Sequence, residues 1–368
     1  MDKEGIVPQE QSNRKNTSNS DKSKYLRIVP GDIAYNTMRM WEGRSAYVGL
    51  EGLVSPAYTV CEPRSGVHSL FFAYYFKAPQ LIEQFRRYSQ GLVKDTLNLK
   101  YAAFSRISAP SPTYPEQQKI ADCLSSLDDL IAAQGRKVDA LKSHKIGLMQ
   151  RLLPREGETQ PRLCFPEFQN SGEWIEQRLE DLAKRGSGHT PSKSYPEYYN
   201  GGIKWISLAD SKRLDCGFIS DTTIEISEKG IQNSSAVLHP EGTVLISRDA
   251  GVGKSAVMSI PMAVSQHFIA WACKPGLLSN WFLYHLLQNS KPLFERVATG
   301  STIKTIGLQF FKDLVFCVPL LPEQRRIADC LTSLDDLIAA QTQKHEALKT
   351  HKKALMQQLF PTTEAVEA

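Results

Sequence analysis

Apolar residues recur every four and then every three positions along two separate stretches of this 368-residue chain. In the first stretch the recurring positions are Ile120, Leu124, Leu127, Ile131, Gln134, Val138, Leu141, Lys145, Leu148 and Leu152. In the second they are Ile327, Leu331, Leu334, Ile338, Gln341, His345, Leu348, Lys352, Leu355 and Leu359. A step averaging about 3.5 residues keeps one stripe turned toward a neighbouring helix, so the spacing predicts two long helices with a packing seam. Each stretch opens on Pro-Glu, at Pro115 and Pro322, which suits a helix start. Each closes on a proline, Pro154 or Pro361, which stops one. The polar interruptions match, Gln134 with Gln341 and Lys145 with Lys352, which favours the two helices registering on each other. At 1.5 Å per residue each would run roughly 50 Å and form a rigid spacer.

These stretches are copies of one another. Between Pro115–Pro154 and Pro322–Pro361, 28 of 40 aligned positions are identical, an agreement that chance does not produce. The copies lie 207 residues apart, a domain-sized interval rather than a solenoid period. Fainter echoes precede them. Pro30-Gly31-Asp32 leads to Gly43-Arg44-Ser45-Ala46, and Pro240-Glu241-Gly242 leads to Gly253-Lys254-Ser255-Ala256. Val54-Ser55 corresponds to Val264-Ser265, and Cys61-Glu62-Pro63 to Cys273-Lys274-Pro275. An aromatic-rich helix candidate follows each, near Leu70–Tyr88 and Trp281–Val297. The halves thus read as one fold built twice, a globular part followed by a long helix. They differ in length: 85 residues separate Pro154 from Pro240, but only 29 precede Pro30. About fifty residues of the second globular part have no counterpart in the first. The N-terminal stretch with Gln9, Asn13, Asn16, Ser18, Asn19 and Ser20 reads as a loop.

Net charge of +5 tolerates a nucleic-acid partner without demanding one. Seven cysteines, with no Cys-x-x-Cys pair, point to reduced thiols rather than a disulfide frame or a zinc knuckle. No apolar run approaches the roughly 20 residues needed to span a bilayer, and the polar start lacks a signal-peptide core, so the chain is expected in the cytoplasm. Ala250-Gly251-Val252-Gly253-Lys254-Ser255 resembles a phosphate loop, but Arg248 stands where such a loop needs its first glycine. No catalytic constellation is evident. Cys123 and Cys330, at equivalent helix positions, are expected to be small buried hydrophobes.

The doubled Pro-Glu-Gln…Ile-Ala…Leu-Asp-Asp-Leu-Ile…Leu-Met-Gln pattern resembles the specificity subunits of type I restriction–modification systems. Gly188-His189-Thr190-Pro191-Ser192-Lys193, Gly201-Gly202-Ile203-Lys204-Trp205-Ile206, Gly300-Ser301-Thr302-Ile303-Lys304 and Leu321-Pro322-Glu323-Gln324 carry the same resemblance. It implies a mixed α/β (α+β) fold with two target-recognition domains, each followed by a long helix, the helices packing as an antiparallel coiled-coil spacer. The division expected is a shortened first recognition domain at 1–112, helices at 113–156 and 321–368, and a second recognition domain at 157–320. The resemblance implies a subunit that is not itself an enzyme: it reads a split double-stranded DNA target and docks two methyltransferase subunits, which restriction (translocase) subunits join. No cofactor is expected on this chain; S-adenosylmethionine, ATP and magnesium would sit on its partners. The alternative is a truncated or inactive relative acting as a scaffold.

Polar or glycine-bearing stretches that could approach a duplex supply the contact candidates. In the second domain these are Lys193, Lys204, Arg248, Lys254, Ser301, Thr302 and Lys304, with Arg248 preferred for base readout because its fork matches guanine's two acceptors. In the first they are Asn36, Arg39, Arg44 and Lys94. Trp205 is expected in the core. Asp128, Asp129, Asp335 and Asp336, off the seam, are expected to be solvated acids rather than partner contacts.

Overall fold

A computed structural model describes residues 5–11 and 21–360. Asn13, Asn16, Ser18, Asn19 and Ser20 lie outside the described residues, while Gln9 opens a short 3-10 turn, Gln9–Gln11. Contacts divide the chain into two units, Met1–Gly135 with Gln343–Ala368, and Arg136–Thr342. The division falls inside both long helices, so each unit takes half of each.

In the first unit, consecutive buried side chains at Ile33, Ala34 and Tyr35 mark a strand covered on both faces. That strand is β2 (Ile33–Asn36), the centre of an antiparallel sheet ordered β3-β2-β5, with β3 Ser45–Tyr47 and β5 Tyr58–Cys61. A separate ladder pairs β1 (Leu26–Ile28) with β4 (Gly52–Val54). The aromatic stretch that follows is two helices, not one: α1 (Ser69–Tyr75) and α2 (Pro79–Tyr88). Pro79 lacks the N–H that a continuous helix needs, so the chain breaks there and restarts with proline in the first turn. A short α3 (Tyr101–Phe104) precedes the first long helix, α4 (Tyr114–Leu152). Tyr35, Phe71, Tyr75, Leu81 and Phe85 form the core with Ala121 and Leu124 of α4 and with Phe360.

The second unit repeats this plan and adds to it. Its central sheet is β7-β15-β12-β13-β9, with β7 Ala183–Ser187, β9 Phe218–Ile219, β12 Val244–Ser247, β13 Ser255–Met258 and β15 Phe268–Cys273. The inner strands β13-β12-β15 have the order and antiparallel sense of β3-β2-β5. β7 and β9 come from the segment with no counterpart in the first half, as do β6 (Ile175–Arg178), α5 (Leu179–Leu182), β8 (Tyr199–Ile206), β10 (Ile224–Ile226) and α6 (Glu228–Gln232), whereas β11 (Leu238–His239), just before Pro240, is the counterpart of β1. β8 and β14 (Met262–Val264) run parallel at the middle of a second sheet, between β10 and β11. The aromatic helix candidate is again split by a proline, into α7 (Asn280–Asn289) and α8 (Lys291–Val297). Then come α9 (Leu308–Lys312), β16 (Val315–Val318) and the second long helix, α10 (Leu321–Leu359).

One glutamine pins each long helix to its unit. Gln117 accepts from the His68 N–H that starts α1 and donates to the Pro112 carbonyl. Gln324 accepts from Ser279 N–H at the start of α7 and donates to the carbonyls of Leu277 and Pro319. Both side chains are buried.

The long helices run antiparallel. In the first unit Lys352 Nζ lies 2.5 Å from Asp128, and a Cβ on Gly135 would touch the His345 ring. In the second, Lys145 Nζ lies 2.6 Å from Asp335. Each step forward along α4 is matched by an equal step backward along α10. All the expected seam positions are buried or half-buried: Ile120, Leu124, Leu127, Ile131, Leu141 and Leu148 on α4, and Ile327, Leu331, Leu334, Ile338, Leu348 and Leu355 on α10. The seam lysines therefore place their ammonium groups on acids that directly follow a stripe leucine of the opposite helix, Asp128 after Leu127 and Asp335 after Leu334. Asp128 and Asp335 are correspondingly not plain solvated acids. Asp128 also accepts from the Tyr74 hydroxyl at 2.7 Å. Asp129 and Asp336 are exposed. Cys123 is exposed as well, against the expectation of burial, because it sits one position off the stripe; Cys330 is half-buried.

His285 on α7 takes the place that Tyr74 has on α1. Its ring is fully buried, with Nε2 3.1 Å from Thr332 Oγ1. Burial and then the Lys145 charge push its pKa down to about 3. The unfolded chain therefore protonates first, and the stability carried by the neutral ring is present above about pH 6.5 and is lost as pH falls toward 3. The loss is about 1.4 kcal/mol per pH unit within that window. The His285→Leu variant is expected to show a flatter decline in urea midpoint between pH 7 and pH 5 than the parent chain.

Candidate nucleic-acid interface

Four loops of the second unit converge at one end of its central sheet. The hairpin 247–254 joins β12 to β13 and is closed by Ser247 N–H on the Lys254 carbonyl. Ala250, Gly251 and Gly253 all have positive φ there, which lets the turn fold tightly back on itself. Against it lies the loop 299–305, tied by a backbone bridge from Asp249 to Thr305 and by Ile306 N–H on the Arg248 carbonyl. From the other side, Arg248 N–H donates to the His267 carbonyl. The His267 Nδ1 then lies 2.8 Å from Asp249 Oδ2, and Asp249 Oδ1 also accepts from the Thr305 hydroxyl. Neighbouring Gln266 bonds Thr190 at 2.5 Å, which joins the stretch from Gly188 to Lys193 to the cluster. Gly188 is required for that approach: a Cβ there would overlap the Val264 carbonyl.

The candidates of the second unit divide three ways. Lys193, Ser301, Thr302 and Lys304 are exposed on these loops with no side-chain partner among the described residues. Arg248 and Lys254 are half-buried and partly committed. Arg248 Nε donates to the Ile306 carbonyl at 3.0 Å, leaving its terminal nitrogens without a partner among the described residues. Lys254 Nζ donates to Ser211. Lys204 departs from expectation: it lies in strand β8, not a loop, clamped at 2.7 Å by both Asp221 and Glu225. Those two acids raise its pKa, and its charge with that of Arg213 holds Asp221 well below the usual carboxylate range. Trp205 is buried, its indole donating to the His189 carbonyl.

The first unit builds the same backbone frame. Asn36 N–H closes its hairpin on the Arg44 carbonyl, Thr37 N–H donates to the Ala57 carbonyl, and Leu99 N–H donates to the Thr37 carbonyl. Thr37, Met38 and Ala57 thus occupy the places of Arg248, Asp249 and His267. Asn36 caps its own turn by accepting from Met38 N–H. Arg39 pairs with Glu42 and lies 3.8 Å from Asp95, and Arg44 lies 3.6 Å from Glu42. Lys94 is exposed on the loop 90–98, the counterpart of 299–305. Gly91 and Gly300 start these two loops with positive φ, and a Cβ on either would strike the backbone of its own turn.

Sequence reasoning missed Asp249, His267 and Gln266. The Val264-Ser265 motif was noticed as repeated, but its polar neighbours gave no periodic or spacing signal. Among the described residues no group of three or more His, Cys, Asp or Glu could hold a metal ion, and no helix is long and apolar enough to cross a membrane.

Residues 171–350 match the type I restriction modification DNA specificity domain family. The type I restriction enzyme MjaIX specificity subunit of Methanocaldococcus jannaschii is 28% identical over 179 residues, 48% of this chain and 41% of that protein. That match therefore spans less than half of the relative. The MjaVIII specificity subunit of the same organism is 23% identical over 355 residues, 92% of this chain and 82% of that protein. Among solved structures, the type I restriction–modification S subunit from M. genitalium shares the fold, with a TM-score of 0.60 at 15% identity, over 98% of this chain and 92% of that one. The helix motif and the loop frame each occur twice, residues 171–350 carry the type I restriction modification DNA specificity domain, and the chain as a whole is similar to the specificity subunits of type I restriction–modification systems.

Proposed function

We propose that each unit reads one half of a split double-stranded DNA target through its loop frame, and that the long helices dock methyltransferase subunits. The observation that carries the reading is the duplicated frame. Thr37 N–H on the Ala57 carbonyl and Leu99 N–H on the Thr37 carbonyl in one unit match Arg248 N–H on the His267 carbonyl and Ile306 N–H on the Arg248 carbonyl in the other, with Met38 and Asp249 next along the chain. A frame kept while its side chains are exchanged is what two readers of different sequences require, since base contacts specify and backbone contacts only position. A scaffold that binds no DNA gives no reason for that exchange.

In this reading Lys193, Lys304, Lys94, Ser301 and Thr302 take phosphates, and Arg248 takes a guanine edge with its terminal nitrogens. Lys254 and Arg44 support their hairpins close to the duplex, with Asn36 and Arg39 beside Arg44. Lys204 contributes charge only if its two acids release it. The expected division keeps recognition domains at 1–112 and 157–320 and gives the helices the spacer role. At roughly 1.5 Å per residue, 39-residue helices are long enough to separate two readers by more than one DNA turn of about 34–36 Å.

The helix surfaces support a partner bound in two copies. Asp129, Leu130, Ala132 and Ala133 are exposed, and the equivalent Asp336, Leu337, Ala339 and Ala340 are identical and exposed too. Leu130 and Leu337 keep 48% and 41% of their surface open, an exposure that partner burial would remove. Packing on the seam does not constrain these positions, whereas two methyltransferase subunits would. Restriction subunits would complete a cytoplasmic complex in which S-adenosylmethionine, ATP and magnesium sit on the partners and none on this chain.

Co-expression with the cognate methyltransferase, followed by mapping of methylated adenines across the host genome, tests the reading. A motif with specified bases on both sides of a fixed gap is expected. No sequence-specific methylation, with the methyltransferase folded and present, would sink it. Arg248→Ala is expected to relax one position of the second half-site by about 1–3 kcal/mol of discrimination. DNA binding by the complex is expected to weaken steeply as salt rises.

A further inference from the structure

We propose that His267 is a base-reading residue of the second unit, its Nε2 accepting a hydrogen bond from the exocyclic amino group of adenine or cytosine. The inference rests on the DNA-reading role proposed above and names one contact within it.

The tautomer follows from the neighbours. His267 Nδ1 faces a carboxylate oxygen of Asp249 at 2.8 Å, and a carboxylate accepts hydrogen bonds but does not donate them. Nδ1 therefore carries the hydrogen, and in the neutral ring Nε2 presents a lone pair. Asp249 cannot easily turn away. It also accepts from the Thr305 hydroxyl, its backbone is bridged to Thr305, and only 17% of its side chain is open. The ring itself keeps 32% of its surface open, and Nε2 has no partner among the described residues. The result is one fixed acceptor at the surface, one backbone hydrogen bond from Arg248, whose terminal nitrogens are donors.

In the major groove, adenine N6 and cytosine N4 are the amino donors, while guanine and thymine present acceptors at the corresponding positions. An oriented acceptor therefore separates the two base classes. Arg248 beside it supplies the opposite polarity, so the pair discriminates adjacent positions by donor and by acceptor.

The competing role is a brace: Asp249 and His267 holding the hairpin 247–254 in shape. The first unit argues against it. There a hairpin one residue longer, with a 3-10 turn at Met40–Glu42, keeps the matching backbone bonds at its base and to the neighbouring loops with Met38 and Ala57 in these places, and neither side chain can make such a brace. The frame does not need the pair, so its presence in one unit alone calls for a different purpose.

The experiment uses the full chain in complex with its methyltransferase and reads the methylated motif, with oligonucleotide competition to measure each base preference. His267→Ala is expected to open a single position of the second half-site from adenine or cytosine to any base. Discrimination there should fall roughly 10-fold or more, with the first half-site and the melting temperature unchanged. Asp249→Asn provides the sharper test. A side-chain amide can donate to Nδ1, which frees the ring to carry its hydrogen on Nε2 and moves the preference at that position toward guanine or thymine. An unchanged motif in His267→Ala overturns the inference. So does loss of every base of the second half-site together, since that is how a brace behaves. A parent chain that specifies no bases on that side removes the reading on which the inference stands, an outcome visible before any variant is made.

Discussion

The Gln324→Leu variant is expected to lose about 3 kcal/mol or more of stability in the second unit. The side chain is almost wholly enclosed and satisfies three backbone groups: the Ser279 N–H and the carbonyls of Leu277 and Pro319. Leucine fills similar volume but pairs with none of them, and each buried backbone group left alone costs about 1–3 kcal/mol. The damage strikes three junctions at once: the start of α7, the turn before it and the chain entering α10. Tryptophan fluorescence during urea unfolding is the natural readout, because Trp174, Trp205, Trp271 and Trp281 all lie in this unit and only Trp41 in the other. A midpoint unchanged from the parent would show that the glutamine is not the anchor its geometry makes it. Gln117→Leu breaks the corresponding bonds to His68 and Pro112 in the first unit.

Gly188→Ala is expected to have the largest effect on DNA reading. The loop from Gly188 passes so close to β14 that His189 N–H bonds the Val264 carbonyl at 3.1 Å, and any Cβ at position 188 overlaps that same carbonyl. Backbone cannot give way as a flexible side chain does, so the loop must lift. It carries with it Thr190, Lys193 and the tie to Gln266. A fall of about 2–4 kcal/mol in stability is expected from strain and lost bonds. Methylation directed by the second half-site should fall roughly 100-fold or more, while bases of the first half-site stay specified. Thermal melting and motif mapping check the two parts separately. Full retention of both would mean that the loop has room the geometry denies it.

How far these features could be read from the chain depends on the range of the interaction behind each. The seam was legible because a helix repeats its environment every few residues, and Leu124 or Leu331 announces itself through its neighbours. The hairpins left only a trace, the matched segments Gly43-Arg44-Ser45-Ala46 and Gly253-Lys254-Ser255-Ala256, where backbone geometry restricts the residue type. Asp128 and Asp335 were misread because their lysines stand far away in sequence, brought near only by the antiparallel crossing. Lys204 was misplaced because glycines before it suggested a loop, whereas Trp205 and Ile206 continue as a buried strand. His267 escaped notice because a polar residue after a strand looks like any turn. Its significance comes from Asp249 and from the contrast with Ala57, neither of which a local pattern reveals. The proline breaks in the aromatic helices were visible in principle at Pro79 and Pro292, but the density of apolar residues hid them.

The division of the long helices also sets an order of assembly. The second unit is one uninterrupted run of chain, Arg136–Thr342, so it can close as soon as that run has left the ribosome. The first unit cannot. Its core includes Leu355 and Phe360, and Gln80 bonds the Phe360 carbonyl across 280 positions of sequence. A domain whose last piece is made after the whole of its neighbour must wait with its aromatic surface uncovered while that neighbour folds. The unit begun first is therefore the unit completed last, and a chain cut short just after Thr342 would carry a finished second unit attached to an unfinished first one.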